Sequence, residues 1–447
     1  MRQLFLPHAE TYDRYQGTQR WRSHVAPPPE LSATSASELV NKRSNDSPAN
    51  TEAPLSQLSL IQARRVTMTD SRTPHALIIG GSLGGLFAAT CLRAIGWNAT
   101  VFERSPGALD SRGGGLVLQP AVEEALEFAG IPLEAGFGVP SRDRIFVERD
   151  GSYRRMYMPQ TQIAWNGLYQ RLRNAVPPAS LQSGESFVSV TQDADSVTAH
   201  FASGRQVTGD ILVGADGPLS RVRELMLPDS RPRYAGYAAW RGVLAENALS
   251  RESLELLDDT FAFEDGAGHQ FLTYRIPGED GSVRVGARRQ NWVWYRKLAS
   301  GPALDAALLD RMGQRHSHSL PPGAMRDSES LALQQAARDL LAPSLASLIE
   351  STPEPFLQLI HDHESAHTAF GRIALIGDAA FVARPHTGAG AGKAAANALS
   401  LARSLNQAAD ISKALVDYEL DELPADRRLV KWGISLGRRI MESPELA

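Results

Sequence analysis

The feature that most constrains this chain is the run His75-Ala76-Leu77-Ile78-Ile79, which leads directly into Gly80-Gly81-Ser82-Leu83-Gly84-Gly85. An apolar run without alternation reads as a strand buried on both faces. Leu86 to Ile95 then follows helical spacing, Gly96 stops the pattern, and Ala99-Thr100-Val101-Phe102-Glu103 reads as a second strand. Strand, glycine turn, helix and strand in so short a span make a βαβ unit, which commits this part to a parallel sheet. A turn this tight needs residues without a Cβ. It brings free N–H groups and a helix N-terminus to where a pyrophosphate can lie. Ser82 stands at the second glycine of the usual G-x-G-x-x-G, and Glu103 closes the second strand where an acid can hold a ribose hydroxyl. The same residues would also serve a plain tight turn beside a solvated carboxylate.

Composition narrows the remaining classes. Of 447 residues, 46 are basic and 50 acidic, a net charge of −4. The basic excess that nucleic acid or an anionic membrane demands is absent. One thiol, Cys91, excludes an intramolecular disulfide, a CxxC redox pair and a cysteine-rich zinc site. The uncharged stretch Ala76 to Leu92 is too short and too glycine-broken to span a bilayer. A soluble cytoplasmic protein is expected. Residues 1–70 read differently, with Pro27 to Pro29, many serines and threonines and no persistent period. They are expected to be a disordered or non-native extension, with Met68 as an alternative translation start. His361-Asp362-His363 with His367 has the look of a metal cluster, but a connection after the strand Phe356 to Ile360 accounts for it. No metal is expected.

Two more strand-to-glycine turns follow. Ile211-Leu212-Val213-Gly214-Ala215-Asp216-Gly217 delivers an aspartate to a turn, with Ser220-Arg221 beyond. Taken alone, Asp216 reads equally well as the cap of the next helix. Ile373-Ala374-Leu375-Ile376-Gly377-Asp378 ends a buried strand on a second aspartate. Pro385-His386-Thr387-Gly388-Ala389-Gly390-Ala391-Gly392 then opens a helix. Backbone N–H groups there would stabilise negative charge on a planar heterocycle. From Ala394 onward the alanine and leucine period indicates helices almost to the end.

In this order and spacing the three turns resemble the fingerprints of the class A FAD-dependent aromatic monooxygenases, the para-hydroxybenzoate hydroxylase fold. A closer resemblance, to the dihydroxypyridine hydroxylases within that family, rests on several segments. These are Gly80-Gly81-Ser82, Val117-Leu118-Gln119-Pro120, Tyr234-Ala235-Gly236-Tyr237, Trp240-Arg241-Gly242 and Arg384-Pro385-His386. The resemblance covers about residues 74–440. It implies an α/β fold: a Rossmann-like FAD-binding domain (73–138, 160–232 and 355–405) interleaved with a mostly antiparallel β substrate domain (139–159 and 233–354). Residues 406–447 would form C-terminal helices. Gly80, Ser82, Leu83 and Gly85 would cradle the FAD pyrophosphate, and Glu103 would hold the adenosine ribose. Arg104 and Arg112 would lie near the adenosine and pyrophosphate. Asp216 and Gly217 would serve the pyrophosphate region, and Asp378 the ribityl chain. Leu118, Pro385, Gly388, Ala389 and Gly390 would lie against the cofactor, the last four at the isoalloxazine. Two positions depart from the family. Trp165-Asn166-Gly167-Leu168 lacks the arginine common at that helix start, for which Arg171 is a weak substitute, and Ala389 replaces a common glutamine.

The resemblance implies that NADH or NADPH, binding transiently, reduces FAD. Reaction with O2 then gives a C4a-hydroperoxyflavin that hydroxylates an electron-rich aromatic or N-heteroaromatic ring. A general base with a pKa near the working pH would help, and His386 is the candidate. Arg241 could hold an anionic substrate or intermediate, or serve only a structural ion pair. Phe261, Phe263, Phe271, Tyr274, Trp292 and Trp294 could line a planar pocket, although most such aromatics are core. The same fold could carry an epoxidase or a tailoring monooxygenase for a larger natural product. A flavin-binding module without catalysis is the remaining alternative. A homodimer is implied at family level only.

Overall fold

A computed structural model describes residues 72–107, 109 and 114–442 of the chain. The expectations for the N-terminal extension and for Arg112 lie outside the described residues. The βαβ unit expected from the sequence is present as β1 (His75–Ile79), α1 (Leu83–Ala94) and β2 (Asn98–Glu103). The helix starts three residues before the expected Leu86, because Ser82 in extended backbone already acts as its N-cap residue.

The chain continues through β3 (Gly115–Val117), α2 (Pro120–Phe128), β4 (Val139–Val147), β5 (Tyr153–Ala164) and α3 (Trp165–Ala175). Next come β6 (Leu181–Ser183), β7 (Phe187–Gln192), β8 (Val197–Phe201), β9 (Gln206–Gly209), β10 (Ile211–Gly214) and α4 (Arg221–Met226). β11 (Arg233–Ala245), α5 (Arg251–Leu256), β12 (Thr260–Gly266), β13 (His269–Ile276) and β14 (Arg289–Lys297) follow. Then come α6 (Pro302–Ala307), β15 (Ser319–Leu320), α7 (Asp327–Leu340), α8 (Pro343–Glu350) and β16 (Phe356–Glu364). The last elements are β17 (Ala369–Phe370), β18 (Ile373–Leu375), β19 (Phe381–Val382), α9 (Gly390–Gln407) and α10 (Ile411–Glu442).

One sheet runs β17-β18-β10-β1-β2-β6, parallel except at its β17 edge. Its central strands β1, β10 and β18 are almost wholly apolar because helices cover them. Leu86, Phe87 and Leu92 of α1 pack with Ala398, Leu401 and Ala402 of α9 in one buried cluster. The larger sheet runs β15-β16-β11-β14-β13-β12-β4-β5-β3, with β19 on β16, and is antiparallel except for β12 beside β4. A third sheet orders β7-β8-β9. This is the α/β arrangement expected from the sequence.

The larger sheet has two faces of different chemistry. Phe271, Trp292 and Trp294 point to one side and are fully buried with Leu333, Leu345 and Leu348 of α7 and α8. Their neighbours by the period-two rule, Tyr237, Leu272, Tyr274, Val293 and Tyr295, point to the other side with Phe261. The six aromatics expected as pocket or core therefore divide. Phe271, Trp292 and Trp294 are core, while Phe261, Phe263 and Tyr274 belong to the second, inner face.

The His361-Asp362-His363 segment needs a correction: it lies inside β16, not in a connection after it. Asp362 pairs with Arg233 and His361 with Tyr234 across β11, and His363 pairs with Val382 of β19. These ladder bonds extend the strand past its apolar stretch. The four side chains of the apparent metal cluster also part company. His361 lies against the Tyr234 ring, Asp362 holds Arg384, His363 meets Ser365 and His367 meets Glu419. Among the described residues no His, Cys, Asp or Glu group is arranged to hold a metal. No described helix is long and apolar enough to cross a membrane.

Candidate active site

The three glycine turns converge at the C-terminal edge of the parallel sheet. Gly80 has φ +109°, and a Cβ there would fall 2.4 Å from the Ala215 carbonyl oxygen and 2.9 Å from Asp216 Cα. Turn one thus sits directly on turn two, at a distance only glycine permits. A Cβ on Gly85 would meet the Gly80 carbonyl oxygen at 1.9 Å, so the helix enters tight against the turn. Ala394 of α9 approaches both Gly84 and Gly377, which brings in turn three.

The side chains around this edge take distinct positions. Glu103 accepts from Gly81 N at 2.8 Å and from Ser105 N at 2.9 Å, leaving lone pairs on both oxygens. Leu83 is buried inside α1, and Arg104 is exposed just after β2. The Asp216 carboxylate is bonded within its own turn. It accepts from Ser220 Oγ at 2.5 Å, Arg221 N at 2.7 Å and Val222 N at 3.2 Å, and so caps α4. That is the capping alternative the residues left open. Gly217 beside it has φ +83° and open space where a Cβ would stand. The Asp378 side chain is 47% exposed, with Lys393 Nζ 3.3 Å away. Fully buried Lys393 also donates to the Phe381 carbonyl at 2.6 Å. Arg171 does not replace the missing arginine of its helix. Its guanidinium donates to the Pro132 carbonyl, pairs with Glu134 at 3.4 Å and covers Phe137.

Turn three holds the polar surprise. Gln119, just before α2, donates Nε2 to the Gly388 carbonyl, while its Oε1 is buried with no partner among the described residues. Pro385 and Gly390 are exposed, Ala389 is buried, and no atom lies within 4 Å of a Cβ built on Gly390. Leu118 lines a cleft of about 870 Å³ with Phe137, Gln162 and Arg275. A glycine cradle, an orphaned amide oxygen and an open helix N-terminus fit a dinucleotide with an extended planar ring.

Opposite turn three stands the inner face of the larger sheet. His386 Nε2 is 2.7 Å from the Tyr237 hydroxyl, and its ring lies 4.1 Å from that of Tyr295. Burial, helped by the Arg384 charge, pushes His386 down to about 3. Arg241 donates Nη1 to Gln358 Oε1 at 3.2 Å and lies over Phe356. Among the described residues it has no carboxylate partner, and its Nε is buried and unpaired. Its charge opposes the burial that pushes the Tyr274 and Tyr295 phenols up. Asn291, on the same face, accepts from Gly115 N at 2.8 Å, which leaves its buried Nδ2 free.

Comparison with known proteins decides the family. A family model described as "FAD binding domain" matches residues 73–261, and one described as "FAD binding domain-like" matches residues 234–362. The chain is 31% identical over 361 residues to 2,6-dihydroxypyridine 3-monooxygenase of Paenarthrobacter nicotinovorans, covering 78% of this chain and 87% of that one. The chain belongs to the FAD-dependent aromatic hydroxylases. The 6-hydroxynicotinate 3-monooxygenase of Bordetella bronchiseptica is 28% identical, covering 75% of this hydroxylase and 83% of its relative. The solved 2,6-dihydroxypyridine-3-hydroxylase from Arthrobacter nicotinovorans superposes with a TM-score of 0.78 at 28% identity. It covers 84% of this chain and 95% of that one. FAD is the cofactor of this hydroxylase.

Sequence reasoning missed four residues of the site: Gln119, Tyr237, Asn291 and Tyr295. Gln119 and Tyr237 stood inside segments already singled out. Asn291 and Tyr295 were detectable only as alternate residues of β14 once its inner face was known.

Proposed function

We propose that this hydroxylase uses NAD(P)H and O2 to hydroxylate a small electron-rich ring, a dihydroxypyridine-like heteroaromatic. Arg241, without a carboxylate partner among the described residues and set on the aromatic inner face that meets His386, is the observation that carries this reading. The names of the relatives support the substrate class. Bound FAD supplies the oxygen activation. Gly80, Ser82 and Gly85 hold its pyrophosphate, Glu103 its ribose and Asp378 its ribityl chain. Leu118, Ala389 and Gly390 lie against it, with Gln119 Oε1 available as an acceptor. The apolar rings of Phe261, Tyr274 and Tyr295 keep water from the ring being hydroxylated. Arg241 holds the ring oxyanion, which makes the ring more nucleophilic, and His386 offers a neutral Nδ1 to a ring hydroxyl. A cytoplasmic homodimer completes the reading.

The test has two stages. Purified protein is expected to be yellow with flavin absorbance, and a colourless protein that takes up no added FAD overturns the reading. Oxygen and NADH or NADPH consumption are then followed across hydroxypyridines and simple phenols, with peroxide measured. Coupled turnover of a hydroxypyridine is expected. Uncoupled oxidation with every member of the panel would move the substrate to the larger natural products.

A further inference from the structure

Lys393 carries a charge where both a helix and a core oppose it. It stands in the first turn of α9, at the positive end of the helix dipole, and its side chain is fully buried. An ammonium withdrawn from water is costly unless it is paired. A methionine of similar length would avoid both costs. The partners of the ammonium lie in one loop. Nζ donates to the Phe381 carbonyl at 2.6 Å and lies 3.3 Å from Asp378 Oδ1. From Phe381 the chain passes through Pro385, His386 and Gly388 before α9 begins, so one buried group fastens both ends of the loop that carries turn three. The next residue, Ala394, is the one that meets Gly84 and Gly377, at 3.8 and 3.5 Å from where their Cβ atoms would stand. Lys393 thus leaves the helix one residue before the place where turns one and three join.

A second buried cation shows what Lys393 adds. Arg223 of α4 donates to the Ala379 carbonyl at 2.8 Å and to the Pro218 carbonyl at 2.6 Å, which ties the backbone of turn three to that of turn two. Its bond to Asp378, at 3.4 Å, also ends on the main-chain carbonyl. Arg223 therefore holds the loop but leaves the aspartate side chain to turn about its own bonds. Lys393 is the cation paired with the Asp378 carboxylate. That side chain is 47% exposed, so it is held at one oxygen from the buried side while its other oxygen remains an acceptor for a ligand hydroxyl.

We propose that Lys393 is a positioning residue of the FAD site: its buried ammonium fixes the orientation of the Asp378 carboxylate, and the fixed carboxylate grips the ribityl chain. The inference rests on the ribityl reading of Asp378 given above and adds the group that makes it effective. No bond or proton is exchanged in this role. Lys393 supplies pre-organisation, because a carboxylate already held in one orientation loses less freedom when it accepts a hydroxyl. Such a lysine adds little to the stability of the fold, since replacing a buried ion pair by apolar atoms is often neutral or stabilising. Asp378 is half in solvent, so removing its partner strands no buried anion. The contribution of Lys393 is therefore expressed when the cofactor binds.

The experiment titrates FAD into the full-length apoprotein and reads affinity from flavin fluorescence. Lys393→Met, Asp378→Asn and the double variant complete a cycle with wild type. Lys393→Met should weaken FAD binding at least about 10-fold, the low end for a hydrogen bond to a charged group, while the Tm of the apoprotein stays at or above wild type. A lysine that served only the packing of α9 would do the reverse, lowering Tm without changing affinity in the folded protein. The double variant should bind FAD no more weakly than Asp378→Asn alone, because the lysine acts through the aspartate. If Lys393→Met gives no folded protein, Lys393→Gln, which keeps a polar head without the charge, takes its place with the same expectation. Wild-type affinity in a folded lysine variant overturns the proposal, and so does a double variant in which the two losses multiply. In both cases weakened binding by Asp378→Asn leaves the ribityl reading standing. Asp378→Asn that binds FAD as wild type does overturns that reading and the proposal with it.

Discussion

Gly80 shows how much one residue can decide. Its φ of +109° disfavours any L side chain, and a Cβ would overlap the Ala215 carbonyl. Gly80→Ala is expected to combine backbone strain of about 1–3 kcal/mol with displacement of turn two. Its FAD affinity should fall at least about 10-fold, since 1.4 kcal/mol is a factor of ten. Equilibrium dialysis of the apoprotein with FAD checks this, and unchanged affinity would remove Gly80 from the cradle. His386 makes a second residue-scale case. Because it stays neutral down to about pH 3, it contributes no inflection near pH 6.5 to a pH–rate profile. His386→Ala should slow hydroxylation or raise peroxide release while FAD stays bound. If coupling is unchanged, His386 has no role in the chemistry. Gly80 was legible in the sequence because its demand is local. The partnership of His386 with Tyr237 was not, since 149 residues separate them and only a bulge brings them together.

At the scale of elements, legibility follows where burial lies. β1 and β10 are almost wholly apolar because both faces are covered, so their sequences announce them. α7 buries only Leu333 and Ala337 among its fourteen residues, and a helix so solvated leaves a faint period. The N-cap position of α8 is Ala342, whose side chain cannot cap it. Glu264 of β12 does so from another element, both oxygens 3.0 Å from Ala342 N. Burial pushes this carboxyl up to about 7, above its unfolded value of 4.5. A raised carboxyl stabilises the fold below pH 4.5, and that contribution is lost as pH rises through 7. Glu264→Gln keeps the acceptor without the charge. Its stability should match wild type near pH 5 and exceed it at pH 8 by on the order of 1–2 kcal/mol. Urea melts at the two pH values check this, and a difference independent of pH would show that Glu264 is not buried as an acid.

At the scale of the whole molecule, the two sheets divide the work. In the proposed reading the parallel sheet presents three turns to FAD, and the antiparallel sheet presents its inner face to the ring being hydroxylated. α10 joins them: Tyr418 donates to the Leu375 carbonyl behind turn three, while Gly437 passes the Tyr237 hydroxyl. Asn397 of α9 adds a second tie. It accepts from Gly377 N at 3.0 Å and donates to Glu422 and Asp426 of α10. The matched FAD-binding family model begins at residue 73. A chain starting at Met68 should therefore bind FAD and turn over hydroxypyridine as the full chain does. Ligand binding to the native state alone stabilises by about 2.7 kcal/mol at a hundredfold excess over Kd. The shift in Tm on adding FAD should accordingly match between the two lengths when both apoproteins are titrated equally. A smaller shift in the shorter chain would give residues 1–67 a part in the flavin site, and equal shifts with lost turnover would give them one at the substrate face.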